Sequence, residues 1–295
     1  MLDFRLETFL ALSRIGNYTK TAQALHITQP AVSQHIKYLE EYYGGKLFCY
    51  HGKTLTLTQR GETLLRHLIA MRADSLRLME TLQSGQGAGR RLNFGATLSI
   101  GEFICPHILG ALLEEAPDLR VHMPVENTER LLEKLENGEI DFALIEGFFD
   151  KAQYDYTLFS NEPFIAVCSG EHPLGGRRAS MEQLMKERII IREKGSGTRN
   201  VFEQLLREHN FSIGSFSMVS EIGNMNAIKR LVERNLGVTF LYRAAAKEEL
   251  ATGKLREIDV ENISVEREFN FVALKDSRFL AENRRWYQVF QEKRP

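Results

Sequence analysis

The sequence predicts an α/β protein with two parts, a helical N-terminal head and a larger C-terminal region of two α/β lobes. Its 295 residues are enough for about two domains of roughly 100–200 residues each. The first part has the spacing of short helices, and beyond residue 90 short apolar strands alternate with amphipathic helices, which is typical of α/β sheets. Three glycines within residues 85–89 predict a hinge between the two parts.

The charge of the chain is unevenly distributed. The formal net charge is only −1, which excludes a protein that binds nucleic acid over its whole surface. Residues 1–90 nevertheless hold 11 Lys and Arg against 7 Asp and Glu, whereas the rest of the chain holds 27 against 32. A basic head on an acidic body indicates that the head meets a polyanion.

Several classes of protein do not fit the sequence. No stretch approaches the roughly 18 apolar residues of a spanning helix, and the N-terminus has no secretion signal, so we expect a cytoplasmic protein without a membrane partner. Cys49, Cys105 and Cys168 lack metal-binding spacing. Because no nucleophile elbow, zinc-protease motif or dinucleotide fingerprint is present, we expect neither a metal nor a catalytic residue, and hence no enzyme.

Residues 18–37 have the pattern of a helix-turn-helix. Ala22 is small enough to let two helices cross closely, and Val32 and Ile36 recur at helical spacing on the inner face of the second helix. The outer face would reach base edges in a major groove. Its candidate DNA-binding residues are Thr28, Gln29, Pro30, Ser33, Gln34 and Lys37. A plain helical hairpin is the alternative.

Two further elements follow the helix-turn-helix. Alternating residues on both sides of Gly52 predict a small β-ribbon, a wing whose tip carries His51 and Lys53 for contact with phosphate. A long helix then begins after Thr58. It carries an apolar seam at 4-3-4-3-4 spacing, which favours a dimer formed by paired helices; packing on its own domain is the alternative. The seam comprises Leu64, Leu68, Met71, Ser75, Leu78 and Leu82.

The C-terminal region predicts two lobes with parallel sheets and a cleft between them. Ligands of such sheets bind beyond the carboxyl ends of the strands. The predicted strands are 92–96, 119–125, 142–145, 164–167, 189–191, 216–219 and 238–241, and the predicted helices are 100–115, 128–137, 198–209 and 224–234.

The head resembles the winged helix-turn-helix of LysR-type transcriptional regulators. The run Gln29-Pro30-Ala31-Val32-Ser33, followed by Ile36 and Leu39-Glu40, is the most specific part of the match. The other matching residues are Phe9, Ala22, Ala24, Leu25, Thr28, Gly44, Leu47, Phe48, Leu57, Thr58 and Gly61. The chain departs from the family at Tyr50 and Lys53, where arginine is common, and at Arg60, where alanine is common.

The resemblance extends over nearly the whole chain and implies its organisation. We expect a DNA-binding domain over 1–58, a linker helix over 59–84, a hinge over 85–90 and an effector domain over 91–295. The effector domain resembles periplasmic binding proteins, with one lobe over 91–162 and 266–295 and the other over 163–265. The family implies a homodimer or homotetramer on an inverted-repeat operator in double-stranded DNA, a small-molecule effector and contact with RNA polymerase.

The same resemblance assigns an effector pocket between the lobes. The stretch 192–199 combines glycines with the start of a helix, which is a ready anion site; a structural turn is the alternative. It resembles the regulators that sense sulfur oxyanions and those of carbon fixation, so we expect a small anion, an oxyanion or a carboxylate, and no other cofactor. The candidate residues are Thr97, Leu98, Ser99, Ile100, Glu146, Gly147, Ser196, Gly197, Thr198, Arg199, Gly223 and Asn224.

Glu146 does not fit a simple anion site, because an unpaired carboxylate would repel the ligand. It pairs with Arg192 or Arg199, or it accepts a hydrogen bond from a hydroxyl or an amine of the ligand; the sequence leaves these alternatives open. The rival function is a solute-binding or metabolite-modifying α/β protein with an accessory helical head. Neither an export signal nor a catalytic constellation supports this rival.

Overall fold

The computed structural model describes residues 3–83 and 90–294. The chain divides into two compact units. One contains Met1–Ala88 with the short segments Leu135–Glu139 and Leu274–Ala281, and the other contains the rest of the chain. The glycines of the predicted hinge lie outside the described residues. Within those residues, no helix has the length and the hydropathy to cross a membrane.

The first unit contains the predicted helix-turn-helix, wing and long helix. Its elements are α1 (Phe4–Ile15), α2 (Tyr18–Ala24), α3 (Gln29–Tyr42), β1 (Phe48–His51), β2 (Thr54–Leu57) and α4 (Gln59–Gln83). Its core packs Phe9 and Leu12 of α1 against the inner faces of the next two helices. Ala22, Val32 and Ile36 are buried there, so the predicted inner face of the helix-turn-helix is confirmed.

The wing and α4 follow from local sequence. β1 and β2 pair antiparallel from Phe48↔Leu57 to His51↔Thr54, and Gly52 adopts a φ of +65° in the turn between them, a conformation that favours glycine. The hydroxyl of Thr58 accepts a hydrogen bond from the N–H of Gly61 at 3.1 Å. This contact stabilises the start of α4, as the sequence predicts.

The predicted seam of α4 divides into two halves. Leu68 is buried in the core of the head, and Leu64 packs against that core. Met71, Leu78 and Leu82 are exposed instead. The first half of the seam therefore packs on its own domain, which was the alternative to pairing, and only the second half is available to another chain.

The rest of the chain alternates strands and helices. The strands are β3 (Arg91–Ala96), β4 (Arg120–His122), β5 (Phe142–Glu146), β6 (Tyr154–Ser169), β7 (Arg178–Ala179), β8 (Arg188–Ile191), β9 (Met218–Glu221), β10 (Thr239–Tyr242), β11 (Leu255–Val260) and β12 (Val265–Leu274). The helices are α5 (Leu98–Phe103), α6 (Cys105–Glu115), α7 (Thr128–Glu136), α8 (Met181–Leu184), α9 (Gly197–Glu208), α10 (Met225–Glu233), α11 (Lys247–Ala251) and α12 (Leu280–Glu292). Two short 3₁₀ helices lie at Ile213–Ser215 and Arg243–Ala246.

The main sheet is mixed, so the prediction of parallel sheets is wrong in part. Its strand order is β4-β3-β5-β12-β6-β11-β7, with β10 also paired to β6. β3 lies parallel to β4 and β5, as β8 does to β9. However, β12 runs antiparallel to β5, and β10 and β11 run antiparallel to β6. Antiparallel neighbours need no crossover helix, so the alternation of strands and helices along the chain did not reveal them.

The helix predicted over 100–115 is also wrong, because two helices occupy this segment. α5 ends at Phe103 and α6 begins at Cys105, with Ile104 between them. Pro106 lies in the first turn of α6, where it lacks the N–H that a continuous helix would need to bond the preceding turn. The break leaves α5 as a short helix directly after β3, next to the candidate effector site.

Aromatic packing fixes the strands that carry this site. The rings of Phe94 and Phe142 stack at 5.3 Å, and those of Phe142 and Phe271 at 4.4 Å. Phe290 of α12 closes the cluster edge-on, 5.0 Å from Phe94. β3, β5 and β12 are thus tied together by rings that contact one another, and the carboxyl ends of β3 and β5 have fixed positions.

Candidate functional site

The surface predicted to contact DNA comprises the first half of α3 and the turn before it. Thr28 Oγ1 accepts a hydrogen bond from the Ala31 N–H at 3.3 Å and caps the helix. Gln29 Nε2 donates to Ser33 Oγ at 2.9 Å, since these side chains lie one turn apart. Ser33 is half-buried, and the remaining predicted residues are exposed, namely Thr28, Gln29, Pro30, Gln34 and Lys37. These side chains therefore face away from the core.

The wing presents the second group of predicted DNA contacts. His51 and Lys53 are exposed on either side of Gly52. Tyr50, where the family commonly has arginine, is also exposed. Arg60 donates a hydrogen bond to the carbonyl of Gly44, in the turn after α3, so its guanidinium is held there. Lys53 is therefore the cation that the wing itself presents.

The candidate effector site begins where two parallel strands end. β3 and β5 lie side by side, so Thr97, which follows β3, meets Glu146 at the end of β5. The N–H of Glu146 donates to Thr97 Oγ1 at 3.3 Å, and Thr128 Oγ1 donates to the Glu146 carbonyl at 3.0 Å. The backbone of Glu146 is thus held by two hydroxyl groups. Its side chain projects from the carboxyl edge, where sheets of this kind bind ligands.

Two predicted residues from separate segments converge on one carboxylate oxygen of Glu146. Ser99 Oγ, in the first turn of α5, donates to Glu146 Oε1 at 3.3 Å. Thr198 Oγ1, in the first turn of α9, reaches the same oxygen at 3.4 Å. The two hydroxyl oxygens are 3.4 Å apart. Because Thr198 belongs to the predicted second lobe, these contacts would connect the two predicted lobes.

Two glycines lie next to the Glu146 carboxylate. Gly147 has a φ of +91°, in the region that favours glycine. A Cβ atom on Gly197 would lie 3.2 Å from Glu146 Cγ and 3.4 Å from Oε1. Glycine at position 197 therefore allows the start of α9 to approach the carboxylate closely.

Burial sets the electrostatics of the site. Glu146 is 2% exposed, and burial raises the pKa of its carboxyl to about 7, against the smaller lowering effects of the Ser99 hydrogen bond, the Arg192 charge and the Thr198 hydrogen bond. The second oxygen, Oε2, is buried without a hydrogen-bond partner among the described residues. The site therefore holds a carboxylate whose hydrogen bonding is incomplete.

Two nearby donors are incomplete in the same way. Arg192 is buried and donates from Nε and Nη2 to Glu193 at 2.8 Å, which leaves its Nη1 buried and without a partner in the described part of the chain. The hydroxyl of Tyr242 is likewise buried and unpaired there. Burial raises the pKa of Tyr242 well above its usual value, and the charge of Glu146 adds to this effect, so Tyr242 remains a donor.

Other predicted effector residues do not reach Glu146. Arg199 donates to Glu203 Oε1 at 2.7 Å and to Glu221 Oε2 at 2.5 Å. The sequence left Arg192 and Arg199 open as ion-pair partners of Glu146. Neither pairs with it directly, because both pair with other carboxylates. The remaining predicted residues have other positions. Leu98 is half-buried, Ile100 is in the core, Ser196 is buried before α9, Gly223 lies near Glu193, and Asn224 caps α10.

Sequence reasoning missed Tyr242 and Thr128. Tyr242 ends β10, directly after an apolar run, so the rule that ligands bind beyond strand ends would have found it. Thr128 acts through the backbone of Glu146, for which the sequence carries no signal. Across residues 3–83 and 90–294, no cluster of His, Cys, Asp and Glu has the arrangement of a metal site.

The chain combines a winged helix-turn-helix with a two-lobed α/β region that has a polar site at its strand ends. This combination defines a class of protein, the DNA-binding regulators controlled by small molecules. Comparison with protein-family models identifies the family. The LysR substrate binding domain matches residues 85–295, and the bacterial regulatory helix-turn-helix protein, lysR family, matches residues 4–62. The chain belongs to the LysR family of DNA-binding transcriptional regulators.

Individual relatives agree with this family. The transcriptional activator CmpR of Synechocystis sp. is 28% identical over 275 residues, which cover 93% of this chain and 90% of that protein. A hydrogen-peroxide-bound mutant of OxyR from Corynebacterium glutamicum has a TM-score of 0.62 at 23% identity, covering 98% and 91%. The regulatory domain of CcmR from Synechocystis PCC6803, in complex with 2-PG, has a TM-score of 0.61 at 24% identity, covering 68% and 96%. These two structures share the fold.

Proposed function

We propose that this chain is a homo-oligomeric transcriptional regulator, and not an enzyme, that acts in the cytoplasm. Pairs of heads bind an inverted-repeat operator, and a small anionic effector binds around Ser99, Glu146 and Thr198. The observation that carries the effector site is the meeting of Ser99 and Thr198, from separate segments, on one buried carboxylate oxygen. A ligand that enters this contact changes how the two lobes are held.

Several features support an anionic group on the effector. The Nη1 of Arg192 and the hydroxyl of Tyr242 are buried donors that lack partners among the described residues, and such donors are stabilised by an acceptor. α9 begins at Gly197 beside the site, and helix N-termini attract negative charge. In addition, the related regulatory domain of CcmR is in complex with 2-PG, 2-phosphoglycolate, which carries anionic groups.

The two-fold pairing of the heads determines how far apart the two half-sites of the operator lie. A dimer with two identical recognition helices requires half-sites about one helical turn apart, or a multiple of that distance. The homodimer forms through α4, and the homotetramer follows from the family. The heads of the dimer can take two relative arrangements. The effector shifts the equilibrium between them only to the extent that its affinity for the protein differs between the two. The shift changes DNA bending and contact with RNA polymerase.

Thermal unfolding of the full chain with ligands tests the effector site. The ligands are sulfate, phosphate, 2-phosphoglycolate and small mono- and dicarboxylates, with and without hydroxyl or amino groups. A ligand at about 100 times its Kd stabilises the effector region by roughly 2.7 kcal/mol. Thr198→Val replaces the hydroxyl group with a methyl group of similar size and abolishes the shift. Thr157→Val, an exposed position on β6, is the matched control and retains it. A shift that persists in Thr198→Val would place the site elsewhere.

A further inference from the structure

The hydroxyl groups that would hold a simple oxyanion are already bonded to Glu146. Ser99 and Thr198 both direct their hydroxyl groups at its Oε1, within hydrogen-bond reach. A sulfate or phosphate at this position would have to displace the carboxylate or lie against it. The protein thus supplies its own anion to this part of the site. What the site lacks is a donor for the other oxygen of Glu146.

The charges around the site favour the same conclusion. Neither Arg192 nor Arg199 forms an ion pair with Glu146. Arg192 donates to Glu193 from Nε and Nη2, and Arg199 is paired with Glu203 and Glu221. Within the described part of the chain, Glu146 therefore has no ion-pair partner. An effector that carried only negative charge would therefore bind beside a buried carboxylate that has no ion-pair partner of its own among these residues.

Three of the buried polar atoms without partners lie around Glu146 and define what the effector must offer. Arg267, whose charge also acts on Tyr242, adds two more buried donor atoms without hydrogen-bond partners among the described residues, and its charge has the same sign as that of Arg192. Glu146 Oε2 is an acceptor, whereas Arg192 Nη1 and the Tyr242 hydroxyl are donors, and none of them has a partner within the described residues. They belong to one neighbourhood. Tyr242 stacks edge-on to Phe269 at 4.7 Å, Phe269 is the strand neighbour of Glu146, and the charge of Arg192 acts on the Glu146 carboxyl. A ligand that satisfies all three atoms must carry both a donor and an acceptor.

We propose that the effector is a small amino acid or a similar zwitterion, whose ammonium group binds Glu146 Oε2 and whose anionic group accepts from Arg192 Nη1 and the Tyr242 hydroxyl. This inference rests on the proposed effector site, and it changes the small anion proposed there to a ligand that carries an ammonium group beside its anionic group. An ammonium group gives a charge-assisted hydrogen bond to a carboxylate, and it compensates the buried charge of Glu146. A hydroxyl group would satisfy the same oxygen but would leave the charge unbalanced.

Matched ligand series test the ammonium group directly. The series are acetate, glycolate and glycine; propionate, lactate and alanine; succinate, malate and aspartate; and glutarate, 2-hydroxyglutarate and glutamate, followed by the remaining standard amino acids. Calorimetric titration of the full chain at about pH 8 keeps Glu146 ionised and the amines protonated. In the series that fits, the amino member binds at least about tenfold more tightly than both of its matched partners.

A charge-neutral variant of Glu146 gives the second measurement. Glu146→Gln keeps the size and an acceptor for Ser99 and Thr198 but removes the charge. The preference for the amino member is lost in Glu146→Gln, and the plain carboxylate binds at least as well. Glu129→Gln, an exposed position on α7, is the matched control and keeps the preference. Thermal unfolding of each variant without ligand verifies that it is folded.

The outcomes separate this inference from the proposed function. If sulfate, phosphate, 2-phosphoglycolate or a plain carboxylate binds the wild type as tightly as its amino counterpart, and Thr198→Val abolishes this binding, the proposed site stands and the zwitterion is wrong. If the preference for the amino member persists in Glu146→Gln, Glu146 does not bind the ammonium group. If no amino acid binds with a millimolar Kd or better, the inference is contradicted irrespective of the oxyanions.

Discussion

At the scale of the residue, Glu146 couples the site to the stability of its domain. Burial raises the pKa of its carboxyl to about 7 from an ordinary value of 4.5, so between these pH values the folded protein holds a proton that the unfolded chain has lost. Stability therefore falls as the pH rises through this window and is level above it. The shift corresponds to about 3 kcal/mol.

We expect Glu146→Gln to remove this part of the pH dependence. Urea unfolding, followed by the fluorescence of Trp286, reports on the effector region because this is the one tryptophan in the chain and it is buried in α12. The stability of the variant relative to the wild type should rise between about pH 5 and 7 and then remain constant. Parallel pH profiles for the two proteins would contradict the raised pKa.

Single residues also show how far the site could be predicted. Thr97, Ser99, Glu146 and Thr198 were predicted from the family resemblance, and each also lies at or just after the end of a strand or at the start of a helix, where ligands of such sheets bind. The partners of Arg199 could not be found in this way. Glu221 lies on β9, and only the folded chain brings it to the start of α9. The sequence predicted that an arginine lies near the site, but not which carboxylate it binds.

At the scale of the element, we expect the wing to contribute to DNA binding through charge. Lys53 is exposed beside the turn of the ribbon, and each phosphate that a lysine neutralises releases counterions from DNA. We expect Lys53→Ala to lower the slope of log K against log salt concentration by about 1, and to weaken binding to operator and random duplexes alike. Fluorescence anisotropy over a salt series measures both effects.

A lysine far from the head provides the control for this prediction. Lys254 is exposed in the effector region, just before β11, and Lys254→Ala changes the net charge of the protein by the same amount. We expect the salt slope of this variant to equal that of the wild type. If Lys53→Ala also leaves the slope unchanged, the wing does not contact phosphate at this position.

The limits of prediction at this scale have physical causes. The helix-turn-helix was predicted well because its helices are amphipathic and locally capped, so neighbouring residues determine them. The break between α5 and α6 depends on Pro106, which the first turn of a helix tolerates as readily as a break. The antiparallel strand β12 pairs with β5 over a separation of more than a hundred residues, and no local pattern encodes that pairing.

At the scale of the whole molecule, we propose that the assembly depends on the second half of α4. Met71, Leu78 and Leu82 are 55%, 52% and 73% exposed, and their spacing of seven and four residues places them on one face of the helix. Exposed apolar side chains in such a row mark an interaction surface. Since Leu64 and Leu68 are occupied by the head, a partner helix would pair only with this half.

We expect Leu78→Glu combined with Leu82→Glu to prevent dimer formation, because charges in the seam would have to be buried against a partner helix. Sedimentation velocity measures the oligomeric state. Gln83→Glu adds a charge to another face of the same turn and should leave the oligomer intact. The wild type should bind a duplex with two half-sites more tightly than a duplex with one, because two linked heads bind two half-sites with an increased effective concentration. Most of this difference in affinity should be lost in the double variant and kept in Gln83→Glu. An unchanged oligomer in the double variant would assign assembly to the effector region, and the heads would then be paired indirectly.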